Sequence, residues 1–97
     1  MEIVKTNQDN CILYKLSGRL DAGTAPQLEE ELASVTEPVD LVFDLADLEY
    51  ISSAGLRVLV FTKQKIGNDK NITIKDANEF ILEVLETTGL LSVFIIQ

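Results

Sequence analysis

The sequence predicts a single α/β domain on a mixed, mainly parallel sheet, with helices packed on it in the order β-β-α-β-α-β-α-β. Three observations predict it. Short apolar runs at Leu41-Val42-Phe43, Ile72-Thr73-Ile74 and Val93–Ile96 alternate with amphipathic stretches, and strands that alternate with helices are joined by parallel, right-handed crossovers. The first two runs, Ile3–Thr6 and Cys11–Leu16, are separated only by the polar turn Asn7-Gln8-Asp9-Asn10, which reads as an antiparallel hairpin. The chain has 97 residues and is 46% hydrophobic, enough for one core and too short for two ordinary domains.

Each element has its own signal. After the hairpin, Ser17–Gly23 reads as a loop with two glycines. Thr24-Ala25-Pro26-Gln27 opens the first helix: Thr24 is the expected cap, Pro26 suits the first turn, and Gln27 completes a capping box. Leu28, Leu32 and Val35 form its apolar stripe, Glu29, Glu30 and Glu31 a solvated first turn, and Glu37-Pro38 its end. Leu41-Val42-Phe43 is a continuous apolar run, as expected of a central strand buried on both faces. Leu45–Ile51 reads as a loop with apolar anchors at Leu45, Leu48 and Ile51. The second helix is expected from about Ala54 to Ile66, with Leu56, Leu59, Val60 and Lys63 on one side and Gly67-Asn68 closing it. Ile72–Ile74 follows as a strand. Asn78 is the expected cap of a third helix, Glu79–Thr87, whose stripe is Ile81, Val84, Leu85 and Thr88 and whose end is Gly89.

Composition excludes several function classes. The net charge of −8 opposes direct binding to nucleic-acid phosphates or to anionic membrane surfaces. There is no histidine, which removes zinc sites and Ser/His/Asp triads. The lone Cys11 cannot form an internal disulfide, lies in an apolar run, and fits a reducing compartment. The start, Met1–Lys5, carries no signal-peptide core, and no run reaches the length of a membrane span. The expected location is the cytoplasm.

The topology brings chemistry together. The loops that leave the second, third and fourth strands emerge at the carboxyl edge of the sheet, where sites form in open α/β folds. Those loops carry Asp21–Thr24, Asp47–Ser53 and Asp76–Asn78. Ser52 and Ser53 stand at a helix start, which offers unpaired backbone N–H groups and the positive end of the macrodipole. One reading leaves one serine as a cap and the other solvated. The other makes one of them a phosphate acceptor, which needs only exposure and a kinase. A nucleophile is disfavoured, because no histidine exists and no G-x-S-x-G elbow surrounds either serine. Gly18 and Gly23 lack the spacing of a dinucleotide or Walker loop. Asp21, Asp44, Asp47 and Asp76 are read as turn and cap residues rather than metal ligands, so no metal and no cofactor is expected. Arg57 is either solvated or a partner for an anion at Ser53.

The chain resembles the STAS domain family, in particular its stand-alone bacterial anti-sigma factor antagonists. The matching residues are Gly18–Asp21, Thr24–Leu28, Leu41–Leu45, Tyr50–Leu56 and Leu85–Leu90, which lie in the family's order along nearly the whole chain. The resemblance implies a non-enzymatic partner-switching module. Its partner would be an anti-sigma factor that is also a serine kinase; phosphorylation would end the binding, and a phosphatase would reset it. Aligned on Gly55-Leu56, the implied phosphoacceptor is Ser53, with Ser52 as the alternative. Ser52 stands where the family pattern commonly has an aspartate. The expected partner-binding surface is Asp21, Ala22, Gly23 and Thr24 together with Ser52, Ser53, Ala54, Gly55, Leu56 and Arg57. The expected oligomeric state is a monomer or weak dimer. The alternatives are an accessory subunit of a membrane transport complex, in which Ser53 is only a cap, and a nucleotide-binding sensor that uses the same edge.

Overall fold

The computed structural model describes residues 1–97. The hairpin is β1 (Glu2–Asn7) paired antiparallel with β2 (Cys11–Leu20), in register from Glu2↔Ser17 to Asn7↔Ile12. β3 (Asp40–Ile51), β4 (Ile72–Lys75) and β5 (Ile95–Ile96) then join in sequence order, each parallel to its predecessor. The crossovers are α1 (Ala25–Leu32), α2 (Ser53–Ile66) and α3 (Glu79–Thr87). Every crossover steps the same way across the sheet, so right-handed connections put all three helices on one face. Burial follows that asymmetry. Tyr14, Leu16, Leu41, Phe43, Leu45, Ile72 and Ile74 are buried on the helix side, whereas Leu13, Lys15, Val42, Asp44 and Thr73 on the other side are only half-buried.

Two strands are longer than the sequence suggests. β2 continues past Leu16 through Ser17–Leu20, and the expected loop Leu45–Ile51 is the second half of β3. The cause is a pair of register shifts, at Lys15/Ser17 and Gly18/Arg19, which break strict two-residue alternation. Leu45, Leu48 and Ile51 are all buried although they are spaced by three, a pattern that does not look like a strand. Gly18 supports the irregularity with φ of 95°, a conformation that other residues adopt at a cost.

The helices show smaller differences. α1 ends at Leu32, well before Pro38, although Val35 still reaches the core through a turn in which its N–H donates to the Leu32 carbonyl at 3.0 Å. Its expected capping box does not form. The Thr24 hydroxyl donates to the Arg19 carbonyl at 2.8 Å, and the Gln27 side-chain amide donates to the Met1 carbonyl at 3.0 Å. α2 starts at Ser53, and its buried residues are Gly55, Leu56, Val58, Leu59, Thr62 and Ile66, with Val60 and Lys63 at the margin. Thr62 is tolerated there because its hydroxyl donates to the Val58 carbonyl at 2.7 Å. β5 is confined to Ile95–Ile96, because the Val93 N–H is held by the Leu90 carbonyl. Cys11 is half-buried, and its thiol donates to Gln8 Oε1 at 3.0 Å.

One core group is unsatisfied. Tyr14 is fully buried and its ring stacks on Phe43 at 5.6 Å, but its hydroxyl has no hydrogen-bond partner. Burial pushes its phenol above the usual value. Tyr14→Phe removes an orphaned polar atom and keeps the ring, so thermal denaturation at neutral pH should show unchanged or higher stability, by up to about 1–3 kcal/mol. A pKa raised in the folded state means that stability is intact below the unfolded value of about 10 and declines as pH rises above it. That alkaline decline should be smaller in Tyr14→Phe; a steeper one would contradict the account.

Candidate functional site at the carboxyl edge of the sheet

β2 and β3 end side by side. Leu20 and Ile51 are register partners, and the Ser52 N–H donates to the Leu20 carbonyl at 2.9 Å. The Asp21 loop and the start of α2 are thus joined by the last rung of a parallel ladder. The loop is organised by one carboxylate. Asp21 Oδ1 accepts from the N–H groups of Gly23 and Thr24 at 3.0 and 3.1 Å, and the Asp21 N–H donates to the Thr24 hydroxyl at 2.9 Å. Asp21 Oδ2 lies 3.8 Å from Arg19 Nε. Desolvation works against its charge. The donors from Thr24 and Gly23, with the Arg19 guanidinium, outweigh that effect and hold the carboxyl below the usual carboxylate range. Asp21 is therefore an anion at neutral pH, in a loop whose Ala22 and Gly23 are exposed.

The two serines have different roles. Ser52 is the N-cap of α2: its backbone is extended, its Oγ accepts from the Gly55 N–H at 3.4 Å, and its carbonyl accepts from the Leu56 N–H at 3.0 Å. Ser53 occupies the first helical position, is exposed, and makes no side-chain hydrogen bond within the protein. Ser52→Ala should thus cost stability, about 0.5–1 kcal/mol, toward the low end for a cap because the bond is long. Thermal melts check this, and a larger loss in Ser53→Ala than in Ser52→Ala would reverse the assignment.

The other expected surface residues divide into three groups. Arg57 is exposed, one turn along the helix from Ser53, and free of ion pairs. Ala54 and Thr24 are half-buried, whereas Gly55 and Leu56 are buried beneath the surface. Gly55 makes the close approach possible. A Cβ there would lie 2.5 Å from Leu20 Cγ and 3.1 Å from the Leu20 carbonyl oxygen. The third loop completes the edge. Asn78 caps α3 by accepting the Ile81 N–H at 2.8 Å, and its side-chain NH₂ donates to the Leu48 carbonyl at 3.2 Å, tying α3 to β3. No three His, Cys, Asp or Glu side chains are grouped to hold a metal ion, and of the four aspartates considered above, Asp44 and Asp47 lie within β3 rather than in a loop.

Sequence reasoning missed an aromatic stack on this edge. The Arg19 guanidinium lies 4.3 Å from the Tyr50 ring centroid, and Tyr50 stacks on Phe80 at 5.5 Å with 19° between the rings. Arg19 and Tyr50 are 31 positions apart and meet only as register partners in β2 and β3. Both fall in stretches without strand periodicity, so no local pattern reveals the contact. Four surface grooves are lined by residues other than Asp21–Thr24 and Ser52–Arg57.

Comparison with known proteins agrees with this architecture. The STAS domain family pattern matches residues 2–97. BtrV of Bordetella bronchiseptica, named as an anti-sigma factor antagonist, is 35% identical over 97 residues, which cover 97% of this chain and 84% of that one. The anti-sigma-B factor antagonist of Staphylococcus aureus is 33% identical over 93% of this chain and 86% of its own. The crystal structure of an anti-sigma factor antagonist from Mycobacterium paratuberculosis superposes with a TM-score of 0.85 at 26% identity, covering 98% of this chain and 83% of that one. By its full-length match, its fold and these relatives, the chain belongs to the STAS domain family, among the anti-sigma factor antagonists.

Proposed function

We propose that this protein is a phosphorylation-controlled binding module whose partner is an anti-sigma factor with serine kinase activity, and that Ser53 is the phosphoacceptor. The observation that carries the reading is the division of labour between the serines. Ser52 holds the helix cap, which leaves the exposed Ser53 hydroxyl without a structural duty. A phosphate there meets the positive end of the α2 dipole, so the fold tolerates it. The fixed Asp21 carboxylate stands on the adjacent loop, and a partner pressed against this edge would face a second, new anion. Partner contact extends over Asp21–Thr24 and Ser52–Arg57, with Gly55 and Leu56 supporting it from below. Binding of the unphosphorylated form releases the sigma factor; phosphorylation ends that binding, and a phosphatase restores it. The setting for this cycle is the cytoplasm; no helix is long and apolar enough to cross a membrane. The test is phosphopeptide mapping after incubation with the cognate kinase and ATP. Phosphate mainly on Ser52 or on a threonine overturns the assignment of Ser53, and no phosphate at all overturns the switch.

A further inference from the structure

We propose that the outer face of Phe80, with the Glu83 carboxylate beside it, receives an arginine side chain of the protein partner. The proposal rests on the reading above in placing a protein partner on this edge. Arg19, from β2, lies over the Tyr50 ring, and Phe80, from α3, stacks on the same ring. Phe80 has one face on Tyr50 and remains 46% exposed. Phe80 lines a groove of about 350 Å³ together with Glu83, Val84, Thr87 and Thr88. Exposed aromatic faces attract planar cations, and the molecule already uses that contact at the other end of the stack.

Charge selects the occupant. Phe80 and Glu83 are three apart on α3, so both border the same strip of helix surface. Glu83 is exposed and forms no ion pair; the ion pairs of the protein, Lys15–Asp47 and Arg19–Asp21, both start from β2. A guanidinium lying flat on Phe80 can direct its N–H groups at Glu83. An ammonium offers the charge without the planar stacking. A second copy of this chain is a poor occupant, because it brings the same net charge of −8.

The test is a nuclear magnetic resonance titration of the unphosphorylated full chain with the peptide acetyl-Gly-Ser-Arg-Ser-Gly-amide and its citrulline counterpart. The arginine peptide should shift the Phe80 ring and the Glu83–Thr88 amides saturably, and citrulline should bind at least threefold more weakly. Phe80→Leu, which keeps an apolar contact with Tyr50, should weaken the arginine peptide about threefold, and Glu83→Gln about twofold. Equal responses to arginine and citrulline, shifts spread over the glutamates of α1, or indifference to Phe80→Leu would overturn the proposal. Concentration-dependent shifts of the same resonances without peptide would assign the groove to a second copy and overturn it as well. No kinase is involved, so failure here leaves the Ser53 switch standing, and an unphosphorylated Ser53 leaves this result standing.

Discussion

Ser53→Asp should weaken binding to the anti-sigma partner at least tenfold while the melting temperature stays nearly unchanged. Phosphoserine carries about −1.5 to −2 charges at neutral pH. A mispaired buried charge at an interface costs on the order of 2–5 kcal/mol, about 30- to several-thousand-fold in affinity. Aspartate carries one charge on a shorter side chain, which places its expected effect at the low end. Stability should not follow, because the first turn of α2 favours an anion by about 0.3–1 kcal/mol. Ser53→Ala should keep both binding and stability, since the cap hydrogen bond belongs to Ser52 and Gly55. The diagnostic pair is therefore Asp at position 53, which acts on binding alone, and Ala at position 52, which acts on folding. Isothermal titration calorimetry with the partner, beside thermal melts, reads both. If Ser53→Asp binds as tightly as the parent protein, the electrostatic form of the switch fails.

What was legible in the sequence was what depends on local pattern. The alternation of apolar runs and amphipathic helices yielded the element order and the parallel topology, and Asn78 and Gly89 marked the ends of α3 where they occur. The carboxyl-edge geometry follows from that order, which sets the Asp21 loop beside the Ser52–Leu56 segment, and the Ser52 N–H bond to the Leu20 carbonyl joins them. What was not legible depends on the third dimension. The second halves of β2 and β3 carry register shifts, and their buried residues lose the two-residue period that signals a strand. Thr24 and Gln27 match a capping box, yet tertiary partners, the Arg19 and Met1 carbonyls, take their side chains instead. The Arg19–Tyr50–Phe80 stack requires three elements to be in place at once, and the need for glycine at position 55 comes from Leu20, 35 positions away, packed beneath it.

Gly55→Ala should be the most destabilising single-methyl change in the molecule. On an exposed helix the same substitution would be favourable by about 0.8–1 kcal/mol. Here the added carbon meets Leu20 Cγ at 2.5 Å and Leu20 Cδ2 at 3.0 Å. The leucine side chain could rotate away, but the Leu20 carbonyl oxygen, 3.1 Å from the same point, also accepts the Ser52 N–H and is held by that rung. Relief thus requires α2 to lift from the end of β2. Overpacking of this kind costs about 1–3 kcal/mol, and for a domain of this size each kcal/mol lowers the melting temperature by about 4–8 °C. The same displacement parts the Asp21 loop from Ser53, so phosphorylation by the cognate kinase should slow even at temperatures where the variant is folded. A double-mutant cycle with Leu20→Ala isolates the cause. The single Leu20→Ala change costs about 2–5 kcal/mol through the cavity it leaves. Against that background Gly55→Ala should cost at least about 0.5 kcal/mol less than it does alone, because the side-chain part of the clash is gone. If the two changes add without coupling, the contact between Gly55 and Leu20 is not what sets the spacing of the two loops. If Gly55→Ala is neutral or stabilising, the close approach itself is wrong.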